Sequence, residues 1–256
     1  MTQPREIRHY GWIPDAPDQR DHLYAAPAPI LKALPASTDL RKQCPPVYDQ
    51  GMLGSCTANA IAAAVEFDRM KQQLADFVPS RLFIYYNERV IEGTVPIDSG
   101  AMLRDGIKSV ASDGVCPESE WPYDITKFTR RPSARAYSDA RLDRAVSYQS
   151  LIQDLNQMKG CLASGYPFIF GFTVYTSFET DEVRKTGHAP MPGWGERPVG
   201  GHAVMAVVYD EAKQWFLVRN SWGDAWGIKG YFTLPYAYFV QPGLAQDFWT
   251  IRLVGK

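Results

Sequence analysis

From Cys56 to about Lys71 the sequence carries Ala58, Ala60, Ile61, Ala62, Ala63, Ala64, Val65, Phe67 and Met70, helix-forming residues whose apolar side chains fall on every face. A helix without a polar face has no side to turn to water, so it runs through the centre of a domain with other elements packed all round it. Two further helical stretches follow at Arg81–Ile91 and at Met102–Ser112, the second stopping before Gly114. The second half reads differently. Phe168–Val174, Ala203–Tyr209, Trp215–Arg219 and Tyr231–Leu234 are short β-branched or aromatic runs between Gly, Pro or charged turns, the pattern of antiparallel strands. Helices first and strands later predict an α+β protein with a helical N-terminal lobe and an antiparallel β C-terminal lobe.

The 256 residues suit one large domain or two tightly joined lobes. With 27 basic and 28 acidic side chains the net charge is 27 − 28 = −1, and no basic stripe invites nucleic acid or a membrane surface. No stretch is long and apolar enough to span a bilayer, and the polar start Met-Thr-Gln-Pro-Arg-Glu-Ile-Arg is unlike an export signal, so a cytoplasmic monomer is expected. His9, His22, His188 and His202 lack metal-ligand spacing, so neither a metal nor another cofactor is expected. If one of the four cysteines is a free nucleophile, at most one disulfide remains among Cys44, Cys116 and Cys161.

Residues 1–34 form a proline-rich arm unlike the body at 35–256. Pro14, Pro17, Pro27 and Pro29 argue against a regular helix and for extended or turn structure, and the arm is too poor in periodic apolar residues to fold alone.

Gly51, Gly54 and Ser55 feed Cys56 onto the start of the apolar helix, where unpaired N–H groups and the dipole favour thiolate over thiol. His202 opens an apolar strand after Gly200-Gly201, and Asn220 precedes Ser221-Trp222-Gly223. An Asn oxygen can accept from one imidazole nitrogen and leave the other to face a thiol, with the tryptophan excluding water from that bond. Each piece alone has a bland reading: a buried cysteine, a histidine at a sheet entrance, a glycine-tryptophan turn. Their conjunction points to thiol-based acyl transfer.

Together, Gln50-Gly51-Met52-Leu53-Gly54-Ser55-Cys56, Gly201-His202-Ala203-Val204 and Asn220-Ser221-Trp222-Gly223, with Trp226-Gly227 and Gly230-Tyr231-Phe232, resemble the active-site segments of the papain-like cysteine peptidases, and the likeness is closest to the bacterial branch. Cys56 and His202 are 202 − 56 = 146 residues apart and Cys56 and Asn220 are 164, close to that family's spacing. The resemblance implies a two-lobed papain-like fold with a β-barrel-like second lobe, and a cysteine endopeptidase acting on peptide or protein substrates in the cleft between lobes. It makes Cys56 the nucleophile, His202 the base and acid, Asn220 the orienter and Gln50 an oxyanion donor. It further places Ser99 and Gly100 at the substrate backbone, Gly201 and Trp222 beside the site, and Gln246 or Asp247 at the floor of the specificity pocket, where a carboxylate would favour basic side chains.

Three departures carry expectations. Leu53 stands where the family has a cysteine, and the region Pro96–Ser99 lacks its partner, so an apolar contact is expected in place of a bridge. Thr57 replaces the tryptophan that usually follows the nucleophile. The short arm stands where relatives carry a folded pro-domain; Tyr10–Ala33 is expected either to gate the cleft or to strap the back of a lobe. An amidase or transpeptidase using the same thiol, and a non-catalytic binding protein on the same fold, are the competing readings.

Overall fold

The structure, a computed structural model, describes residues 10–255. In chain order the first elements are β1 (Trp12–Ile13), α1 (Ala28–Lys32), β2 (Ser37–Asp39), α2 (Cys56–Lys71), α3 (Arg81–Glu92), β3 (Ala101–Met102), α4 (Leu103–Ser112) and α5 (Ala134–Ala140). There follow β4 (Arg144–Ser150), α6 (Leu155–Ala163), β5 (Phe168–Tyr175), α7 (Asp181–Thr186), β6 (Pro198–Asp210), β7 (Trp215–Arg219), β8 (Tyr231–Pro235), α8 (Tyr236–Val240) and β9 (Ala245–Gly255). Among the described residues no helix is long and apolar enough to cross a membrane.

The apolar rod is α2, buried from Cys56 to Arg69 and packed against α3 and α4 on one side and β6 and β9 on the other. It is therefore the element the two lobes share. Ser80 caps α3 by accepting from the Phe83 N–H at 3.2 Å, and Gly93 ends it in the left-handed conformation. The strands form a seven-stranded antiparallel sheet in the order β4-β9-β5-β6-β7-β8, with β2 added to the end of β6. The sheet is open, with β4 and β8 as its ends rather than closing on each other. Its core is aromatic: Phe168, Phe170, Phe216 and Phe239 are fully buried, with ring centroids 4.5 Å apart for Phe216–Phe239 and 4.9 Å for Phe170–Phe239.

One expectation for the arm fails locally. Despite its prolines, residues 28–32 form a short helix, because Pro27 stands at the N-cap position and Pro29 lies in the first turn, where a missing N–H breaks no intrahelical bond. The arm divides in two. Its first part, Trp12–Ile13, pairs in parallel with Ala101–Met102. Its second part wraps the body: Arg104 holds Asp21 through Nε and Nη2, the Tyr24 N–H donates to Ser150 O at 2.7 Å, and the Ala26 N–H donates to Gln157 Oε1 at 2.8 Å.

Candidate active site

Cys56 is the first residue of α2, reached through Gly51 at φ +61°. Its sulfur is fully buried and lies within reach of the backbone N–H groups of Ala203, Gly11 and Thr57. Burial outweighs those donors and pushes the thiol up to about 12. The helix N-terminus does not, in this state, give the thiolate expected from its position. Gly11 of the arm is packed against the loop that feeds the nucleophile: a Cβ on it would fall 1.7 Å from Gly54 O.

His202 sits on β6 opposite Phe172 of β5, and Asn220 follows the end of β7. His202 Nε2 and Asn220 Oδ1 are 2.8 Å apart in a buried setting. The same Oδ1 accepts from the Ser221 backbone N–H at 2.8 Å. A backbone N–H can only donate, so that atom is the amide oxygen, and it accepts from Nε2–H; in the neutral ring Nδ1 then carries no proton and can take one from a thiol. The Trp222 ring stacks on the imidazole at 4.9 Å and 24°, and Phe172 meets it edge-on at 5.8 Å. The structure brings His202, Asn220 and Trp222 together, and the backbone of Ala203, next to His202, lies beside the Cys56 sulfur.

Gln50 is buried and fixed at both ends of its amide. Its Nε2 donates to Leu53 O at 2.9 Å, and its Oε1 accepts from Ser221 Oγ at 2.6 Å. One Nε2 proton remains to be directed into the cleft. The Ser221 hydroxyl is a partner that the motif contained but the sequence reading did not single out.

The six expected substrate-contact residues separate into groups. Gly201 lies under the arm, where a Cβ on it would meet the Trp12 ring at 2.5 Å, and Trp222 covers the His202 ring. Next to Ser99 and Gly100 it is the following residue that bonds to the arm. The Gly100 N–H goes to Tyr85 Oη at 3.2 Å and Ser99 Oγ to Gly100 O, whereas the Ala101 N–H donates to Gly11 O at 2.8 Å. Gly100, at φ +75°, supplies the gap through which Gly11 passes. Of the two pocket-floor candidates, Asp247 makes the contacts. Its Oδ2 accepts from Trp12 Nε1 at 3.1 Å and from the Asp15 N–H at 2.8 Å. A bulge between the Ile169/Trp249 and Gly171/Gln246 pairs and a positive φ of 57° at Asp247 turn it there. Gln246 lies opposite Gly171 in the ladder, and no side-chain hydrogen bond of it is found among the described residues.

The missing bridge is replaced differently from expectation. Leu53 is buried, but the tie between the two loops is polar: the Asp98 carboxylate accepts from the Gly54 N–H at 3.1 Å and from Tyr85 Oη. All four cysteines are free. Beneath the nucleophile, Thr57 Oγ1 donates to the fully buried Glu88 at 2.7 Å, and burial drives that carboxyl well above its ordinary range. Asp98 and Glu88 gave no sequence signal, because a single carboxylate in a loop or helix reads as solvated. No cluster of three or more His, Cys, Asp or Glu is placed to hold a metal among the described residues.

Comparisons with known proteins agree with this geometry. The profile of the papain family cysteine proteases matches residues 34–248. An uncharacterised peptidase C1-like protein of Acanthamoeba polyphaga mimivirus is 43% identical over 96% of this chain and 88% of its own. The crystal structure of xylellain, a cysteine protease from Xylella fastidiosa, is similar with a TM-score of 0.88 and 44% identity, covering 98% of each chain. A cathepsin B-like protein of Giardia intestinalis is 29% identical over 78% of this chain and 69% of its own.

Proposed function

The chain belongs to the papain family of cysteine proteases and is a cysteine peptidase, and from that premise we propose that Cys56, His202, Asn220 and Gln50 carry the reaction while the segment Tyr10–Ile13 holds the site shut. In the open site His202 Nδ1 takes the thiol proton as sulfur attacks the scissile carbonyl carbon. The carbonyl oxygen becomes an oxyanion against the Cys56 N–H and Gln50 Nε2, where one such donor contributes about 2.7–4 kcal/mol. Collapse of the tetrahedral species breaks the C–N bond, and the imidazolium gives its proton to the departing amine. Water, deprotonated by His202, then attacks the thioester, releasing the acid and restoring the thiol.

The arm's role rests on where Gly11 lies: its carbonyl accepts from the Ala101 N–H at 2.8 Å and its Cα packs against Gly54, which sets it beside Cys56 where a substrate backbone has to come. The direction of the arm fits a blocker. His202 must protonate the leaving amine, so the C-terminal half of a productively bound peptide lies on the side of the His202 and Trp222 rings. The arm places its earlier residue, Tyr10, against those rings at 5.9 and 6.3 Å, and its later residue, Trp12, over Gly171 and Asp247. It runs opposite to a substrate and offers no scissile bond in register. The other half of the arm supports the strap reading, through Asp21, Tyr24 and Ala26. Gating and strapping belong to different segments, so deleting everything before Leu34 would remove both.

Asp247, holding an indole N–H in the arm, suits a substrate side chain that brings a donor or a positive charge to the same pocket. Unpaired cysteines and a carboxylate tie in place of a bridge support work in a reducing compartment. The test is a peptide-library cleavage profile of the full-length chain carrying Trp12→Ala, beside the same chain with Cys56→Ala. Cleavage that vanishes with Cys56 and favours basic residues at the position before the scissile-bond residue is expected. Cleavage that persists in Cys56→Ala would remove the assigned nucleophile.

A further inference from the structure

Arg81 is the first residue of α3, where a cation faces the positive end of the helix dipole, and it is 8% exposed. Both conditions are unfavourable, so its partners must compensate. Nε and Nη2 grip the Glu118 carboxylate at 2.9 and 2.7 Å, and the guanidinium lies 4.0 Å over the Tyr123 ring. Its remaining arm, Nη1, donates to Asp49 O at 3.1 Å and to Asn59 Oδ1 at 3.2 Å.

Three of those partners, Asp49, Asn59 and Tyr123, lead on to the segment that carries Gln50 and Cys56. Asp49 precedes Gln50. Asn59 Nδ2 donates to Ser55 O at 2.9 Å, and Ser55 precedes Cys56. Tyr123 Oη donates to Gln50 O at 2.9 Å and lies 2.5 Å from Ser55 Oγ. On the opposite side Gln50 is pinned by the Ser221 carbonyl, which accepts from its N–H at 2.9 Å. Gln50 is thus clamped between the turn after β7 and a buried guanidinium.

We propose that Arg81 is a positioning residue for hydrolysis, fixing the Asp49–Gln50 backbone so that the Gln50 amide meets the oxyanion. It touches neither substrate nor sulfur; it acts through Asp49, Tyr123 and Asn59. The inference rests on the assignment of Gln50 as oxyanion donor. A planar fork with several donors does this and an ammonium does not, so Arg81→Lys keeps the charge and loses the geometry.

The test uses full-length protein with Trp12→Ala in every variant, so that the cleft is open. Two probes are compared: a peptide aldehyde, whose hemithioacetal oxygen needs the oxyanion donors, and iodoacetamide, whose displacement by Cys56 sulfur does not. Arg81→Lys is expected to lower kcat and weaken aldehyde binding by about tenfold, with KM and the alkylation rate within about twofold. Arg81→Met should go further in the same direction, and if it does not fold, the lysine variant alone carries the test. In a Gln50→Ala background Arg81→Lys should add nothing to the aldehyde effect. Equal loss of aldehyde binding and alkylation, or a full additional loss on top of Gln50→Ala, would overturn the proposal. Unchanged aldehyde binding in Gln50→Ala itself would instead overturn the role of Gln50, and the proposal with it.

Discussion

The two walls of the cleft are held by different forces. On the strand wall, His202 is fixed by the β5–β6 ladder, by Asn220 and by the Trp222 and Phe172 rings. On the helical wall, Asp49, Gln50, Gly54 and Ser55 are fixed by side-chain hydrogen bonds from distant residues: Ser221, Asp98, Tyr123 and Arg81. Backbone ladders and ring packing spread their contribution over many contacts. Polar clamps concentrate theirs in a few groups that cost much to leave unpaired when buried. The strand wall should therefore fail by losing stability, and the helical wall by losing alignment.

The largest effect should come from emptying the strand wall. Phe170→Ala, at a fully buried ring, should cost about 3–5 kcal/mol in denaturant unfolding. A loss below about 1 kcal/mol would mean that the aromatic cluster is not what holds this lobe. Next, Asn220→Ala should lower kcat by about 10²-fold, less than the ~10⁴ seen when a charged orienter is lost, because the two rings still hold the imidazole. A loss as large as 10⁴ would put the whole burden on Asn220. On the other wall, Asp98→Ala should cost about 1–3 kcal/mol by taking the acceptor from the Gly54 N–H and from the Tyr85 O–H, and turnover should fall by more than the stability change alone accounts for. Thermal melts beside steady-state kinetics separate the two.

The smallest effect concerns pH. With the arm docked, burial and the nearby Asp15 raise Asp247 to about 7, and burial also raises Asp15. Arg104 opposes both shifts, Asp105 adds to that of Asp15, and Glu92, raised to about 7 by burial, belongs to the same acidic cluster. Once the arm leaves, water returns these carboxyls toward an ordinary value of about 3.9. The docked form therefore binds more protons. Its added stability is complete below about pH 4 and is lost as pH rises through about 7. The ratio of Cys56 alkylation in wild type to that in Trp12→Ala should rise a few-fold across that interval, and Asp247→Asn should flatten it. A ratio that falls with pH would reverse the sign of this account.

What the sequence disclosed follows the same division. Helices α2 and α3 and strands β5 to β8 announce themselves because local periodicity and turn residues encode them, and the motif segments carry Cys56, His202, Asn220 and Gln50. Asp98, Arg81 and Glu88 stayed silent because each works through partners 13 to 44 positions away, and nothing in its own neighbourhood marks it. The short helix at 28–32 and the turn of Asp247 into the cleft arise from packing and a bulge that no local pattern shows. The arm could be read as unusual but not placed, since its position is set by glycines far along the chain, Gly100, Gly171, Gly200 and Gly201, which leave room for Tyr10 to Trp12.

That an otherwise complete peptidase site is shut by Gly11 and Trp12 is tested most directly by the iodoacetamide alkylation rate of Cys56 in full-length wild type and Trp12→Ala. Loss of the buried indole should free the segment while the strap at Asp21 and Tyr24 keeps the chain folded. The account predicts a rise of at least about tenfold, with peptide turnover rising in parallel. Equal rates in two folded proteins would contradict it.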